Sequence, residues 1–188
     1  MLLAAGGSNR FGQSKILLPW KGKPIICHVA ETIEQLRFSQ VIVVLGKDSN
    51  RVRDVLKEFP FTFIENPQWG SGQASSIAEG VNTLLPSIRA AFFFLGDQPR
   101  ISSELVRHVI SAWKTQPGDI FVPHFGEQRG NPVLFTKNTF TRLLTLTGDQ
   151  GGKGIFAAFN VTLVPWLRPD EFLDVDTQED YQKLMEED

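Results

Sequence analysis

Short runs that are apolar at every position constrain the fold of this chain most strongly. They occur at Val41–Leu45 and Ala91–Leu95, and such strands are typical of a sheet that helices cover on both faces. Other short β-branched or aromatic runs recur along the chain. Strands are predicted at Leu2–Ala5, Gln40–Leu45, Phe61–Glu65, Ala90–Leu95, Asp119–Pro123, Pro132–Phe135 and Val161–Val164.

Segments with helical periodicity lie between these runs. In one of them Ile25, Val29, Ile33 and Leu36 fall on a single face, as in a helix that packs on a sheet. Helices are predicted at Pro24–Leu36, Arg51–Phe59, Gln73–Leu85, Ser102–Lys114, Lys137–Leu146 and Thr177–Glu186. The alternation predicts a three-layer α/β/α Rossmann-like fold with a mostly parallel central sheet, and 188 residues fit a single domain over 1–188.

Composition excludes several classes of protein. Nineteen Lys and Arg against 21 Asp and Glu give a formal charge of -2, without the basic excess of proteins that grip nucleic acid. The apolar runs are too short for a membrane helix, and the N-terminus lacks an export pattern. Cys27 is the single cysteine, so neither an internal disulfide nor a multi-cysteine metal site is expected. We expect a cytoplasmic protein that binds neither nucleic acid nor membrane.

The loop after the first predicted strand has the composition of a phosphate site. It reads Leu3-Ala-Ala-Gly-Gly-Ser-Asn-Arg-Phe-Gly-Gln-Ser-Lys15. Gly6 and Gly7 allow backbone N–H groups to approach an anion, and Arg10 and Lys15 add charge-assisted hydrogen bonds. The spacing matches neither a P-loop nor a G-x-G-x-x-G fingerprint. Anion binding is favoured over an ordinary turn.

Two acidic residues follow other apolar segments. Asp97 comes two residues after the Ala90–Leu95 run, so it would lie at the carboxyl end of a strand and face the first loop. Ligands of such sheets bind beyond the carboxyl ends of the strands. A carboxylate beside phosphates is useful when Mg²⁺ lies between them. A turn residue before Pro99 is the structural alternative. Asp176 precedes the last predicted helix, where an acid usually serves the helix start. The three histidines have no metal-site spacing.

The segment Asn66–Ser76 ends a strand and opens a helix with small residues. Gly70 and Gly72 leave room for a nucleobase, and Ser75 or Ser76 could supply a hydroxyl. A glycine-rich helix start is the equally good alternative. The turns near Gly130 and Lys153 stay open in the same way, although Lys153 is a further candidate for an anion contact.

Six motifs in this order resemble the molybdenum-cofactor nucleotidyltransferases, and the resemblance covers nearly the whole chain. The cytidylyltransferase branch is the most similar, because Leu-Ala-Ala-Gly occurs together with Gly-Asp-Gln-Pro. The motifs are Leu3–Lys15, Asn66–Gly72, Gly96-Asp-Gln-Pro99, Gly130-Asn-Pro-Val-Leu-Phe135, Gly148-Asp-Gln-Gly151 and Asp174-Val-Asp-Thr177.

The resemblance implies an Mg²⁺-dependent transfer of CMP from CTP to molybdopterin, with release of pyrophosphate and delivery of the product to a molybdoenzyme. It implies catalytic roles for Arg10, Lys15 and Asp97, and metal ligation by Asp97 and Asp176. It also implies that Gly130–Pro132 and Asp149 contact the acceptor. The implied substrate-binding residues are Ala5, Gly6, Gly7, Ser8, Arg10, Lys15, Asn66, Gly72, Ser76, Gly130, Asn131 and Asp149.

Two departures from the family pattern concern the first strand and the acceptor. Family members usually begin several residues earlier, so a short first strand is expected. Gly151-Gly-Lys153 stands where the family has Gly-Ala-Arg, which keeps a cation but loses a bidentate fork, so the acceptor could differ. Three alternatives stay open: GTP with the pterin, a nucleoside triphosphate with a sugar phosphate, and a non-catalytic nucleotide or cofactor carrier that acts as an insertion chaperone.

Overall fold

The computed structural model describes residues 1–6 and 14–186. The strands of this part are β1 (Leu2–Ala4), β2 (Pro19–Trp20), β3 (Lys23–Pro24), β4 (Ile42–Leu45), β5 (Thr62–Glu65), β6 (Ala90–Leu95), β7 (Ile120–Phe125), β8 (Gln128–Arg129), β9 (Val133–Thr136) and β10 (Val161–Pro165). The α-helices are α1 (Ile25–Gln35), α2 (Ser49–Leu56), α3 (Gln73–Asn82), α4 (Ser103–Thr115), α5 (Lys137–Leu143) and α6 (Gln178–Glu186). Short 3₁₀ helices lie at Lys15–Leu17, Trp69–Ser71, Gly152–Ala158 and Pro169–Phe172.

One mixed sheet forms the middle layer, in the order β5-β4-β1-β6-β9-β7-β10, with β8 paired to β7. The pairings of β1 with β4 and β6, of β4 with β5 and of β7 with β10 are parallel. Only β8 and β9, among the strands of this sheet that the structure describes, run antiparallel to their neighbours. The predicted α/β fold with a mostly parallel sheet is therefore confirmed.

Each face of the sheet has its own apolar core, because alternate strand residues point to opposite sides. Leu2, Val43 and Phe94 pack with apolar residues of α1, α2 and α4. On the other face, Leu3 and Val44 pack with α3, α5 and the 3₁₀ segment Gly152–Ala158. The result is three layers around a sheet whose strands β1 and β4 are buried along their whole length.

Two local features differ from the sequence expectation. A ribbon of β2 and β3 interrupts the chain before α1, and its turn places Lys21 and Gly22 at φ 46° and 80°. Two positive φ angles are what a two-residue hairpin with a type I′ turn requires, but Lys-Gly is a weaker signal for such a turn than Asn-Gly. Strand β9 is antiparallel because the short turn at Gly126–Glu127, and not a crossover helix, reverses the chain after β7, and both β8 and β9 then pair with β7.

The start of α6 forms a reciprocal cap. Thr177 Oγ1 accepts a hydrogen bond from the Asp180 backbone N–H at 3.1 Å, and Asp180 Oδ2 accepts one from the Thr177 N–H at 2.8 Å. Thr177 and Asp180 therefore form a capping box, with an aspartate in place of the usual Glu or Gln. Within residues 1–6 and 14–186, no helix has the length and apolar character needed to cross a membrane.

Candidate functional site

The site lies at the carboxyl ends of β1 and β6, which are neighbours in the sheet. After β1 the chain continues through α1 to β4 on one side, and it later returns to β6 on the other side. Such a reversal opens a crevice above the sheet, which is where open α/β proteins bind ligands. Here a cleft of about 930 Å³ occupies that position. We call it the polar cleft.

Lys15 lies at the centre of the polar cleft, between two carboxylates. Its Nζ is 2.5 Å from Asp97 Oδ2 and 2.5 Å from Asp176 Oδ1. The side chains of Lys15 and Asp97 are 17% and 16% exposed, whereas that of Asp176 is 54% exposed. Burial alone would lower the pKa of Lys15, but the two carboxylates outweigh burial and raise it. Lys15 is therefore held as an ammonium ion.

A third carboxylate, Asp174, lies beside this group. Gln98 Nε2 donates a hydrogen bond to Asp174 Oδ1 at 2.5 Å, and the Val175 N–H donates to the Asp97 carbonyl at 3.0 Å. The segment after β6 and the segment before α6 are thus tied together. Burial, with the nearby charges of Asp97 and Asp176, raises the pKa of Asp174 to about 6.

The donor set fits a divalent cation in part. Asp97 Oδ1 is buried and accepts no hydrogen bond from the described residues, so one carboxylate oxygen is left without a donor at the floor of the cleft. No group of three His, Cys, Asp or Glu side chains within the described ranges forms a ready-made metal site. Mg²⁺ commonly binds one or two protein carboxylates and completes its shell with waters and substrate phosphates. Asp97 and Asp176 match that pattern.

The charge of the polar cleft also favours a bound cation. Its described lining carries four carboxylates, on Asp97, Asp149, Asp174 and Asp176, but only the two lysines Lys15 and Lys153. A polyanionic ligand would meet net repulsion from these groups. A bound cation next to Asp97 would reverse the local field and favour phosphate.

The opposite wall of the polar cleft is built by the start of α3. Gly72 has φ +110°, and a Cβ at this position would overlap the backbone of Gly148. The Ala74 N–H donates to the Gly148 carbonyl at 3.0 Å. The glycine is thus needed for the approach of the 148–149 turn, and this contact carries Asp149 into the polar cleft beside Gly72.

Asn66 supports this wall from below. It is 2% exposed, and its Nδ2 donates to Ser75 Oγ at 2.8 Å and to Ser76 Oγ at 3.0 Å. Ser76 lines the polar cleft, whereas Asn66 does not. The structure therefore makes Asn66 a residue that positions the start of α3, and not one that faces a ligand in the polar cleft.

A second cavity of about 460 Å³ lies beside the polar cleft and shares lining residues with it. Gly130 and Asn131, the predicted acceptor residues, line this cavity, and Asp149 does not. Phe135 and Phe156 form part of its wall. We call it the aromatic pocket. The predicted acceptor side is therefore divided between the two cavities.

The structure brings most described candidates together. Ala5, Gly6, Lys15, Gly72, Ser76, Asp97, Asp149 and Asp176 all line the polar cleft. Gly7, Ser8 and Arg10 lie outside the described residues, so their predicted phosphate contacts stay predictions.

Sequence reasoning missed Asp174 and Gln98 as members of the site. A sequence signal was present for Asp174, because Asp174 and Asp176 flank the apolar Val175, and alternate residues of an extended segment share a face. Val175 is fully buried in the structure. Asp174 and Asp176 therefore lie on the same side of the chain. Cys27 is buried, and the three histidines do not line either cavity.

Fold and site together define a Rossmann-like α/β protein with a carboxylate–lysine cluster at the switch point of a mostly parallel sheet. The domain model described as "MobA-like NTP transferase domain" matches residues 1–163. The chain belongs to this family of nucleotidyltransferases, as the motifs implied.

Individual relatives cover nearly the full length. A nicotine blue oxidoreductase of Paenarthrobacter nicotinovorans is 28% identical over 98% of this chain and 95% of its own. A molybdenum cofactor cytidylyltransferase of Escherichia coli K12 is 24% identical over 96% of this chain and 92% of its own. The crystal structure of Rv0371c from Mycobacterium tuberculosis H37Rv is 28% identical, covers 98% of this chain and 95% of its own, and has a TM-score of 0.82. A manganese complex of Rv0371c is 25% identical over 98% of this chain and 96% of its own, with a TM-score of 0.80.

Proposed function

We propose that this protein transfers CMP from CTP to molybdopterin and releases pyrophosphate. The observation that carries the proposal is the Lys15 ammonium held 2.5 Å from both Asp97 and Asp176 at the crevice between β1 and β6. Such a group of charges is suited to phosphates and a divalent cation. The choice of CTP and molybdopterin rests on the motif resemblance and on the similarity to the Escherichia coli cytidylyltransferase.

The reaction needs no covalent enzyme intermediate. A phosphate oxygen of the acceptor attacks the α-phosphorus of CTP and forms a new P–O bond. The bond from the α-phosphorus to the bridging oxygen of the β-phosphate breaks, and pyrophosphate leaves with the electron pair. Holding the two reactants in line can contribute about 7–11 kcal/mol to the lowering of the barrier.

The residues of the polar cleft have distinct tasks in this reaction. The chain turn at Ala5 and Gly6 lies against the phosphates, and the Lys15 ammonium neutralises charge that develops on them. Gly72 and Ser76, which Asn66 holds in place, form the wall of the cleft around the nucleoside part of the nucleotide. Asp97 and Asp176 would hold Mg²⁺, which supplies charge stabilisation for the α-phosphate and the leaving group. The manganese complex of Rv0371c supports divalent-metal use in a related protein.

The alternatives use parts of the same site. Transfer from GTP to the pterin, or from a nucleoside triphosphate to a sugar phosphate, would need no change in the carboxylate–lysine cluster. Only competition assays among these substrates distinguish the two alternatives from the proposed reaction. A carrier without catalytic activity would have little use for a buried carboxylate oxygen that has no donor among the described residues. One relative of this chain is named an oxidoreductase, but a carboxylate–lysine cluster that suits a divalent cation with phosphates favours nucleotidyl transfer here.

The test is a turnover assay with purified protein, Mg²⁺, molybdopterin and each of the four nucleoside triphosphates. We expect pyrophosphate release with CTP that depends on both Mg²⁺ and molybdopterin. Asp97→Asn should remove this activity while the circular dichroism spectrum stays unchanged. Release with GTP in place of CTP would move the protein to the guanylyl branch, and release that needs no pterin would contradict the acceptor.

A further inference from the structure

The aromatic pocket lies next to the polar cleft. Lys153 and Asp174 line both cavities, so a ligand with its phosphate in the polar cleft can extend its other end into the aromatic pocket. The volume of about 460 Å³ is within the usual range for a site that encloses a small ligand. The function given above does not say which residues recognise the body of the acceptor.

The walls of the aromatic pocket favour a flat ring. Phe93 and Phe135 have ring centroids 4.7 Å apart, and Phe135 and Phe156 have centroids 6.3 Å apart. The Arg129 guanidinium lies 5.7 Å from the centroid of the Phe156 ring. Phe93 and Phe135 are only 4% and 1% exposed, so these two rings form the floor of the pocket. A heteroaromatic ring can stack on the half-buried Phe156 ring or on the exposed Arg129 guanidinium.

The rim of the aromatic pocket carries charged groups that the rest of the described chain does not neutralise. Glu127 and Arg129 come from the exposed hairpin of β7 and β8, and Lys153 comes from the 3₁₀ segment opposite. None of the three is in an ion pair with another described residue. A carboxylate accepts hydrogen bonds from ring N–H and amino groups, whereas a lysine at the junction attracts a phosphate.

We propose that the aromatic pocket binds a flat, amino-substituted heterocycle carried by the acceptor, with Phe156 and Arg129 as its stacking surface and Glu127 facing its N–H edge. Lys153, at the junction, orients the acceptor phosphate toward the polar cleft. These residues therefore determine the specificity for the acceptor. The inference deepens the proposed function and rests on it.

The test uses a pterin alone as the probe. Binding of fluorescent 6-carboxypterin is titrated against the full chain, and CTP binding with Mg²⁺ is measured on the same samples by calorimetry. The variants are Phe156→Leu and Arg129→Met. Arg129 is exposed, so its replacement leaves the core intact even if Phe156→Leu disturbs folding. Phe125→Leu is the matched control, because Phe125 is 44% exposed on the same hairpin but does not line the pocket.

We expect each pocket variant to weaken pterin binding by about fivefold or more. CTP affinity in these variants, and pterin affinity in Phe125→Leu, should stay within about twofold of wild type. Wild-type protein that fails to bind the pterin, or pocket variants that bind it as well as the control does, would overturn the inference. Intact CTP binding in that case would leave the nucleotide part of the proposed function standing. Pterin binding without any CTP binding would support the pocket and contradict the proposed nucleotide.

Discussion

Replacing Lys15 by methionine removes the cation at the centre of the site and keeps most of the side chain's volume. In the structure its Nζ lies 2.5 Å from Asp97 Oδ2 and 2.5 Å from Asp176 Oδ1. Without the ammonium, the Asp97 carboxylate faces Asp174 and Asp176, and like charges repel. The variant should therefore be less stable than the wild type in the absence of metal.

The magnitude follows from the burial of each partner. Asp97 is only 16% exposed, so its charge-assisted hydrogen bond contributes about 1.5–3 kcal/mol. Asp176 is 54% exposed, and a solvent-screened pair adds only about 0–1 kcal/mol. We expect Lys15→Met to lower the free energy of unfolding by about 2–3 kcal/mol. In a chain of this length that corresponds to a fall in Tm of about 4–12 °C.

The assay combines a melting curve with a metal titration. Tm is measured for wild type, for Lys15→Met and for the exposed-lysine control Lys114→Met. Mn²⁺ binding is then followed by electron paramagnetic resonance without nucleotide. The wild-type ammonium occupies the space between the two carboxylates, so a metal must displace it. Lys15→Met should consequently bind Mn²⁺ about tenfold more tightly, and Mn²⁺ should restore its Tm.

One pattern of results would refute this reasoning. If Lys15→Met melts with the wild type and binds Mn²⁺ with the same affinity, the ammonium does not compete with a metal for Asp97 and Asp176. A loss of Tm shared equally by Lys114→Met would show that the effect comes from a general loss of positive charge.

Three further changes test the walls of the site and the helix that follows it. Asn66→Ala should lower the free energy of unfolding by about 1–3 kcal/mol, since it leaves hydroxyl groups at the start of α3 without their donor; urea denaturation measures this, and an unchanged midpoint would contradict the positioning role. Gly72→Ala should destabilise by about 1–3 kcal/mol, because φ is +110° and a Cβ would overlap backbone, whereas Gly70→Ala, where nothing lies within 4 Å, should be much milder. Hydrogen bonds from Thr177 lower the pKa of Asp180, so its contribution is full above the ordinary pKa and is lost as pH falls through the lowered value. Asp180→Asn should therefore lower Tm at pH ~7 but not at pH ~2, and an equal loss at both would exclude the charge effect.

The layers of the fold could be predicted because burial determines two sequence patterns, the apolar runs of the strands and the helical spacing of apolar residues. Strand β6 is apolar at all its positions, and α1 repeats apolar residues on one face; both lie where the patterns place them. The direction of β9 could not be predicted in this way, because periodicity reports which faces are buried and not how strands connect. The ribbon of β2 and β3 was not predicted, because a strand of two residues is too short to show a periodic pattern of apolar residues.

The site was predictable where residue type and strand end coincide. Lys15 and Asp97 each follow a strand, and the sheet order makes those strands neighbours. The role of Asn66 was not predictable, since an amide after a strand could face a ligand or the helix start with equal reason. Its contacts with Ser75 and Ser76 depend on tertiary packing that the sequence pattern does not predict.

The most direct test of the central claim is an isothermal titration of the purified chain with CTP, GTP, ATP and UTP, each with and without Mg²⁺, in wild type and in Asp97→Asn. A metal-activated nucleotidyl transfer from CTP predicts a clear preference for CTP that requires Mg²⁺ and is lost in Asp97→Asn. Binding of no triphosphate, or equal CTP binding with and without Mg²⁺ and with and without the Asp97 carboxylate, would contradict it.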